Sequence, residues 1–141
     1  MNNSSDRPWL LAVQETPGYN YRPLYEQAGF QVAIEYSVRR ALARLKTLAP
    51  QVIVADFGKR YFHDRVSNLE SLLAARTRFP SARVLILYNP SHQSDLARLL
   101  VRCPADATLP LPAEDAALVR LLAGWAGTPS VARATLQYLN P

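Results

Sequence analysis

The chain has 141 residues, of which 49% are hydrophobic, and this is enough to bury the core of one domain. Its formal net charge of +5 comes from basic residues that are dispersed along the sequence, which argues against nucleic acid as the main partner. The single cysteine, Cys103, excludes an intrachain disulfide, and no apolar stretch approaches the roughly 20 residues that span a membrane. We therefore expect a cytoplasmic, globular domain.

Apolar runs alternate with helical patterns along the chain. In chain order, the predicted elements are a strand over 9–13, a helix over 23–29, a strand over 30–36, a helix over 37–48, a strand over 52–55, a helix over 67–76, a strand over 84–88, a helix over 94–101, a strand over 107–109 and a helix over 118–125. The first strand, over 9–13, is short and continuously apolar, which is typical of a strand buried on both faces of a parallel sheet.

Local signals set several of these boundaries. Gly29 suits the C-terminal cap of the first helix, and Ser37 suits the N-terminal cap of the second. Ser67 and Glu70 have the spacing of a capping box at the start of the third helix. The fourth helix is predicted to begin at Ser94 or Asp95, to run through Leu96, Leu99, Leu100 and Val101, and to end at Pro104.

Five strands that alternate with five helices predict an α/β fold with right-handed crossovers and helices on both faces of a parallel sheet. The expected arrangement is a doubly wound, flavodoxin-like sheet of order 2-1-3-4-5. We place this domain at residues 8–126 and interpret residues 127–141 as a C-terminal extension or linker. Ligands of such sheets bind beyond the carboxyl ends of the strands. Here these positions are Gln14, Glu15, Asp56, Tyr88, Asn89 and the segment after Leu109.

Three segments carry a resemblance to a known family. Residues 28–32 (AGFQV), 41–42 (AL) and 50–56 (PQVIVAD) resemble the second strand, second helix and third strand of response-regulator receiver domains of the CheY type. The resemblance extends over residues 9–125 and implies that Asp56 stands at the position of the phosphoacceptor aspartate. In that family, the aspartate is phosphorylated with the help of Mg²⁺.

The other positions of the family site differ here. Gln14 and Glu15 replace the usual acidic pair, so Mg²⁺ binding, for which Glu15 and Asp56 are the remaining carboxylates, is expected to be weak at most. Tyr88 matches the position of the family's Thr or Ser. Leu111, followed by Pro112, replaces the lysine that pairs with the phosphoryl group, and phosphoryl transfer depends on such placed positive charge.

The resemblance therefore predicts a pseudo-receiver, a domain that acts in two-component signal transduction by protein–protein interaction instead of aspartyl phosphorylation. The expected partners are proteins of a signalling pathway, and a homodimer would form through the fourth helix, the fifth strand and the fifth helix. No cofactor is expected unless phosphorylation is retained, in which case it is Mg²⁺. Two alternatives stay open: a response regulator that is phosphorylated on Asp56, with Lys59 or Arg60 supplying the missing charge, and a basic regulator associated with nucleic acid.

No motif of the sequence indicates an enzyme. It contains neither a serine nucleophile elbow nor a glycine-rich phosphate loop. His63, His92 and Cys103 do not have the spacing of metal ligands. We expect a binding module without catalytic residues.

Overall fold

A computed structural model describes residues 7–58, 68–79 and 81–126. The five strands are Trp9–Val13 (β1), Gln31–Glu35 (β2), Val52–Phe57 (β3), Arg83–Tyr88 (β4) and Ala107–Pro110 (β5). The five α-helices are Arg22–Gln27 (α1), Val38–Arg44 (α2), Asn68–Ala75 (α3), Gln93–Arg102 (α4) and Asp115–Ala126 (α5). Single turns of 3-10 helix at Arg76–Arg78 and Pro90–His92 extend α3 and precede α4.

The strands form one parallel sheet in the order β2-β1-β3-β4-β5, which confirms the predicted flavodoxin-like topology. Every residue of β3, the central strand, is buried. The register pairs Val13 with Ala55 and Asp56 with Leu87, so the carboxyl ends of β1, β3 and β4 lie side by side. This edge of the sheet is where the candidate site lies.

Helices cover the sheet on both faces and produce two hydrophobic cores. One core contains Leu10 and Val54 from the sheet together with Leu118 of α5, and the other contains Leu11 and Ile53 with residues of α2, α3 and α4. Successive residues of a strand point to opposite faces, which explains why neighbours in β1 and β3 belong to different cores.

The helix caps agree with the sequence where the structure describes them. The Ser37 hydroxyl accepts a hydrogen bond from the Arg40 N–H at 3.1 Å, and Gly29 has a φ of +111° after α1. The α2 helix ends at Arg44, earlier than predicted, and continues into hydrogen-bonded turns. Ser67, which was predicted to cap α3, lies outside the described residues, as do Lys59 and Arg60.

Val101 lies in α4, as predicted, and its side chain is 85% exposed. Helical geometry turns each residue by about 100°, so Val101 lies about 140° around α4 from Leu96 and points away from the sheet. Leu96 and Leu99 form the buried face of this helix.

None of the helices in the described part of the chain has the length and hydrophobicity that a membrane span requires.

Substitution by alanine at Gly29 and at Gly124 should change the free energy of unfolding in opposite directions. Gly29→Ala should lower the free energy of unfolding by about 1–2 kcal/mol, because a side chain at a positive φ is strained. Gly124 lies in α5, and a Cβ added there would meet nothing within 4 Å, so Gly124→Ala should raise this free energy by about 0.5–1 kcal/mol. Urea unfolding of both variants measures the difference, and equal effects would contradict the backbone geometry at Gly29.

Candidate functional site

The carboxyl ends of the strands bring together most of the residues that the sequence indicated. Asp56 lies in β3, and the β1–α1 loop, which begins with Gln14 and Glu15, hydrogen-bonds to it. The segment after β5 brings Leu111 and Pro112, joined by a cis peptide bond, to the same edge. The predicted site residues are therefore neighbours, but their contacts differ from those of a phosphorylation site.

Asp56 is the one charged residue that is buried among the described residues, with 8% of its surface exposed. Its Oδ1 accepts a hydrogen bond from the Glu15 N–H at 3.1 Å. Its Oδ2 accepts one from the Thr16 N–H at 2.9 Å and a second from the Tyr19 hydroxyl at 2.7 Å. Both carboxylate oxygens thus accept hydrogen bonds from the loop that follows β1.

Burial dominates the electrostatics of this contact. It raises the pKa of Asp56 above its ordinary value, while the hydrogen bonds from Tyr19, Thr16 and Glu15 act in the opposite direction. The pKa of the Tyr19 hydroxyl is raised as well, first by burial and then by the neighbouring Asp56 carboxylate. Tyr19 therefore acts as a hydrogen-bond donor to Asp56 at neutral pH.

The side chain of Gln14 stabilises the same β1–α1 loop through two hydrogen bonds. Its side-chain amide donates to the Tyr19 carbonyl oxygen at 2.6 Å and to the Thr16 carbonyl oxygen at 3.3 Å. An ionised aspartate, the residue usual at this position in receivers, has no hydrogen to donate. The Gln14 amide therefore makes hydrogen bonds within the loop that an ionised aspartate at this position could not make. The same loop covers Asp56.

Glu15 contacts a helix terminus. Its Oε2 accepts a hydrogen bond from the Val38 N–H at 3.1 Å, at the first residue of α2. Helix N-termini leave such N–H groups without a partner inside the helix, and a carboxylate is favourable there. This contact gives Glu15 a role in capping α2.

The capping role of Glu15 can be tested with two substitutions. Glu15→Ala should lower the free energy of unfolding by about 0.5–2 kcal/mol, because the Val38 N–H loses its acceptor. Glu15→Gln retains a carbonyl oxygen and should lose less. Chemical denaturation with and without Mg²⁺ checks this, and a stabilisation by Mg²⁺ that both variants lose would instead indicate a metal ligand.

These contacts do not fit the Mg²⁺ ion that the resemblance implies. Mg²⁺ prefers several free oxygen ligands in octahedral geometry. Gln14 presents donors to the loop, Glu15 contacts α2, and both oxygens of Asp56 accept hydrogen bonds. Within the described ranges, no group of three or more His, Cys, Asp or Glu side chains could hold a metal ion.

Tyr88 and Asn89 follow each other at the end of β4 but have different surroundings. Tyr88, matched by sequence to the Thr or Ser position, packs against the core on the side of α2, α3 and α4. Asn89 instead lines a cleft together with Leu111 and Thr16. The Asn89 Oδ1 accepts hydrogen bonds from the N–H and the hydroxyl of Ser91, at 3.0 and 2.9 Å.

This cleft, which we call the edge cleft, has a volume of about 560 Å³. It lies at the carboxyl edge of the sheet and is lined by Thr16, Pro17, Gly18, Tyr19, Tyr21, Gly58, Asn89, His92, Leu111 and Pro112. Two of its tyrosine rings, Tyr19 and Tyr21, have centroids 4.9 Å apart. The Tyr21 hydroxyl also accepts a hydrogen bond from the Ala113 N–H at 2.9 Å, which ties the loop after β1 to the segment after β5.

Sequence reasoning missed Tyr19 and Tyr21, since a loop tyrosine has no periodicity that would mark it. One usable signal was Gln14, because an amide in place of an acid needs acceptors, and the nearest ones are the carbonyl groups of its own loop. A second was Gly18, whose φ of +101° turns the chain immediately before Tyr19.

Comparison with known proteins supports the fold through structure alone. No family model and no curated protein matches the chain. The signal receiver domain of a putative LuxO repressor protein from Vibrio parahaemolyticus is similar, with 23% identity, a TM-score of 0.66, and coverage of 94% of this chain and 96% of that one. The chemotaxis response regulator CheY4 of Vibrio cholerae has 19% identity and a TM-score of 0.62, with 84% and 98% covered.

A third similar structure belongs to a larger protein. NtrX from Brucella abortus, in complex with ATP, has 15% identity and a TM-score of 0.72 over 92% of this chain and 29% of that one. At such identities the likeness shows the fold. This chain has the fold of response-regulator receiver domains, as its sequence predicted.

Proposed function

We propose that this chain is a receiver-fold module of signal transduction that acts through protein contacts, without phosphorylation of its aspartate. The observation that carries the proposal is the hydrogen bonding of Asp56, whose two oxygens accept from Glu15, Thr16 and Tyr19. A carboxylate that stabilises the β1–α1 loop in this way has a structural role.

Phosphoryl transfer to Asp56 would require one of its oxygens to reach a phosphorus atom and positive charge to lie around the phosphoryl oxygens. Tyr19 occupies the Oδ2 side, and Leu111 supplies an apolar side chain where receivers place lysine. The loss of one preorganised electrostatic contact typically costs about 3 kcal/mol, or on the order of a hundredfold in rate. Several such losses coincide at this site.

The proposal includes no catalytic activity and no cofactor. Its partners are proteins of a signalling pathway, including a second copy of the chain bound through α4, β5 and α5. Support for this surface comes from Val101, an exposed valine of α4, and from β5, an edge strand whose residues Thr108 and Pro110 are exposed. Exposed edge strands and apolar side chains favour association.

Self-association can be measured by light scattering over a range of protein concentrations. A dimer that Val101→Lys dissociates, with Tyr36→Lys as the control at another exposed hydrophobic position, would support this surface. A monomer at every concentration would remove the homodimer from the proposal and leave the contacts with other proteins.

The phosphorylation part of the proposal is tested with acetyl phosphate and Mg²⁺, followed by intact-protein mass spectrometry. We expect no phosphoryl adduct under conditions in which a typical receiver domain becomes modified. An adduct that Asp56→Asn abolishes would show instead that the chain is a response regulator phosphorylated on Asp56.

A further inference from the structure

The edge cleft has the shape and lining of a small-molecule site. We propose that it binds a small, uncharged ligand with a flat aromatic body and a hydrogen-bond acceptor such as a carbonyl group. The inference rests on the proposed function in one respect, since a phosphoryl group or a metal ion held at this edge of the sheet would compete with the ligand.

The size and composition of the cleft favour an apolar ligand body. Small-molecule sites typically have volumes of about 300–1,000 Å³ and are lined mostly by hydrophobic and aromatic side chains. The edge cleft, at about 560 Å³, lies in this range, and half of its ten described lining residues are Tyr19, Tyr21, Leu111 and two prolines. Aromatic rings pack well against other flat rings in offset or edge-to-face geometry.

The charges around the cleft disfavour ionic ligands. No lysine or arginine is among the described residues that line the cleft, so an anion would lose hydration with only His92 as a basic partner there. Asp56 does not line the cleft, and its Oδ2 accepts from the Tyr19 hydroxyl, so a cation finds no free carboxylate among the described lining residues. An uncharged molecule avoids both costs.

Asn89 supplies the polar contact. Its Oδ1 is used by Ser91, while its side-chain N–H groups have no partner among the described residues. An amide donor beside apolar walls favours a ligand that carries an acceptor, because their hydrogen bond leaves neither the amide nor the ligand's acceptor unpaired in the complex. The carbonyl group in the proposed ligand class follows from this donor.

The walls are held in place before any ligand binds. Gln14 fixes the loop that carries Tyr19, and the Tyr21 hydroxyl binds the Ala113 N–H beyond Pro112. A preformed cleft loses little conformational freedom on binding, which favours affinity for a small ligand. Gly58 allows the chain to approach the loop after β1 closely, since a Cβ at this position would lie 3.2 Å from the Thr16 Oγ1.

The test uses three probes that share a ring system and differ in charge: 2-naphthamide, 2-naphthoate and 2-naphthylmethylammonium. Each is titrated into the full ¹⁵N-labelled chain and followed by the amide NMR signals of Gly58, Asn89 and Leu111. We expect saturable shifts with naphthamide and binding at least about tenfold weaker with both ions, as expected when a charge is desolvated without a partner. Equal or tighter binding of either ion, or no saturable shift with naphthamide, would overturn the proposal.

A charge variant reverses the preference. Leu111→Lys places an ammonium group in the cleft and should shift the selectivity toward naphthoate by about tenfold or more. Ala123→Lys adds the same charge at an exposed position of α5 outside the cleft and should leave the selectivity unchanged. The same preference in both variants would place the naphthamide site elsewhere on the protein.

A second variant, Asn89→Asp, keeps the acceptor for Ser91 and removes the amide donor, so naphthamide should bind about tenfold more weakly. Unchanged naphthamide affinity would contradict the assigned donor. The acetyl phosphate reaction is the separate readout of the proposed function. If Asp56 becomes phosphorylated while naphthamide still binds at the edge cleft, the proposed function fails and the ligand site stands.

Discussion

Replacement of Tyr19 by phenylalanine is expected to lower the free energy of unfolding by about 1.5–3 kcal/mol at neutral pH. The reason is the 2.7 Å hydrogen bond from its hydroxyl to the buried Asp56 carboxylate, which the variant lacks. Hydrogen bonds to charged groups contribute more to stability than neutral ones, and Asp56 is too buried for water to replace the lost donor.

The cost of this substitution should depend on pH in a defined direction. The pKa of Asp56 is raised in the folded protein, so between its ordinary value of 3.8 and the raised value the folded chain binds more protons than the unfolded chain. The free energy of unfolding therefore falls as the pH rises through this window. The Tyr19 hydroxyl lowers this pKa, so its removal widens the window.

Below the window Asp56 is protonated in both states, and the cost of Tyr19→Phe should fall to the roughly 0.5–1.5 kcal/mol of a neutral hydrogen bond. Urea unfolding across the acid range measures this trend, with Tyr36→Phe as the control, because Tyr36 is 68% exposed. A cost that does not change with pH would show that Tyr19 does not contact an ionised Asp56.

Replacement of Tyr21 by phenylalanine should lower the free energy of unfolding by about 1–3 kcal/mol, because the Ala113 N–H loses its acceptor. Ala113 is buried with 8% of its surface exposed, so water reaches this group poorly. The variant should also loosen the contact between the loops after β1 and β5.

The loosening can be measured by amide hydrogen exchange. The Ala113 amide should exchange faster in Tyr21→Phe relative to the core strand β3, and Tyr36→Phe should leave both unchanged. Unchanged protection of Ala113 would indicate that another acceptor replaces the tyrosine hydroxyl.

Much of this fold could be predicted from the sequence because its three central strands, β1, β3 and β4, are buried on both faces. Continuous apolar runs such as Trp9–Val13 are short and bounded by turn residues, and they recur with amphipathic patterns between them. In the fourth helix, the sequence alone does not say which of the consecutive apolar residues Leu99, Leu100 and Val101 faces the core, because a helix turns them to different sides. Val101 faces outward.

The sequence predicted where the candidate site lies, but it did not predict which contacts the site residues make. The segment that ends at Asp56 marked the correct strand end, and the carboxyl edge of the sheet did gather Gln14, Glu15 and Leu111. Tyr19 and Asp56 are 37 residues apart in the sequence. Their contact depends on how the β1–α1 loop folds, which no local sequence pattern encodes. Asn89 was expected at this edge of the sheet, but the cleft that it lines depends on which way the chain turns after β4.

The most direct test of a structural role for Asp56 is an NMR titration of the full chain with Mg²⁺ and beryllofluoride, which mimics a phosphoryl group on aspartate. We predict no saturable shift of the Glu15, Asp56 or Leu111 amides, because the carboxylate is already bound by the β1–α1 loop and no lysine faces it among the described residues. A saturable shift in the wild-type chain that disappears in Asp56→Asn would contradict this account.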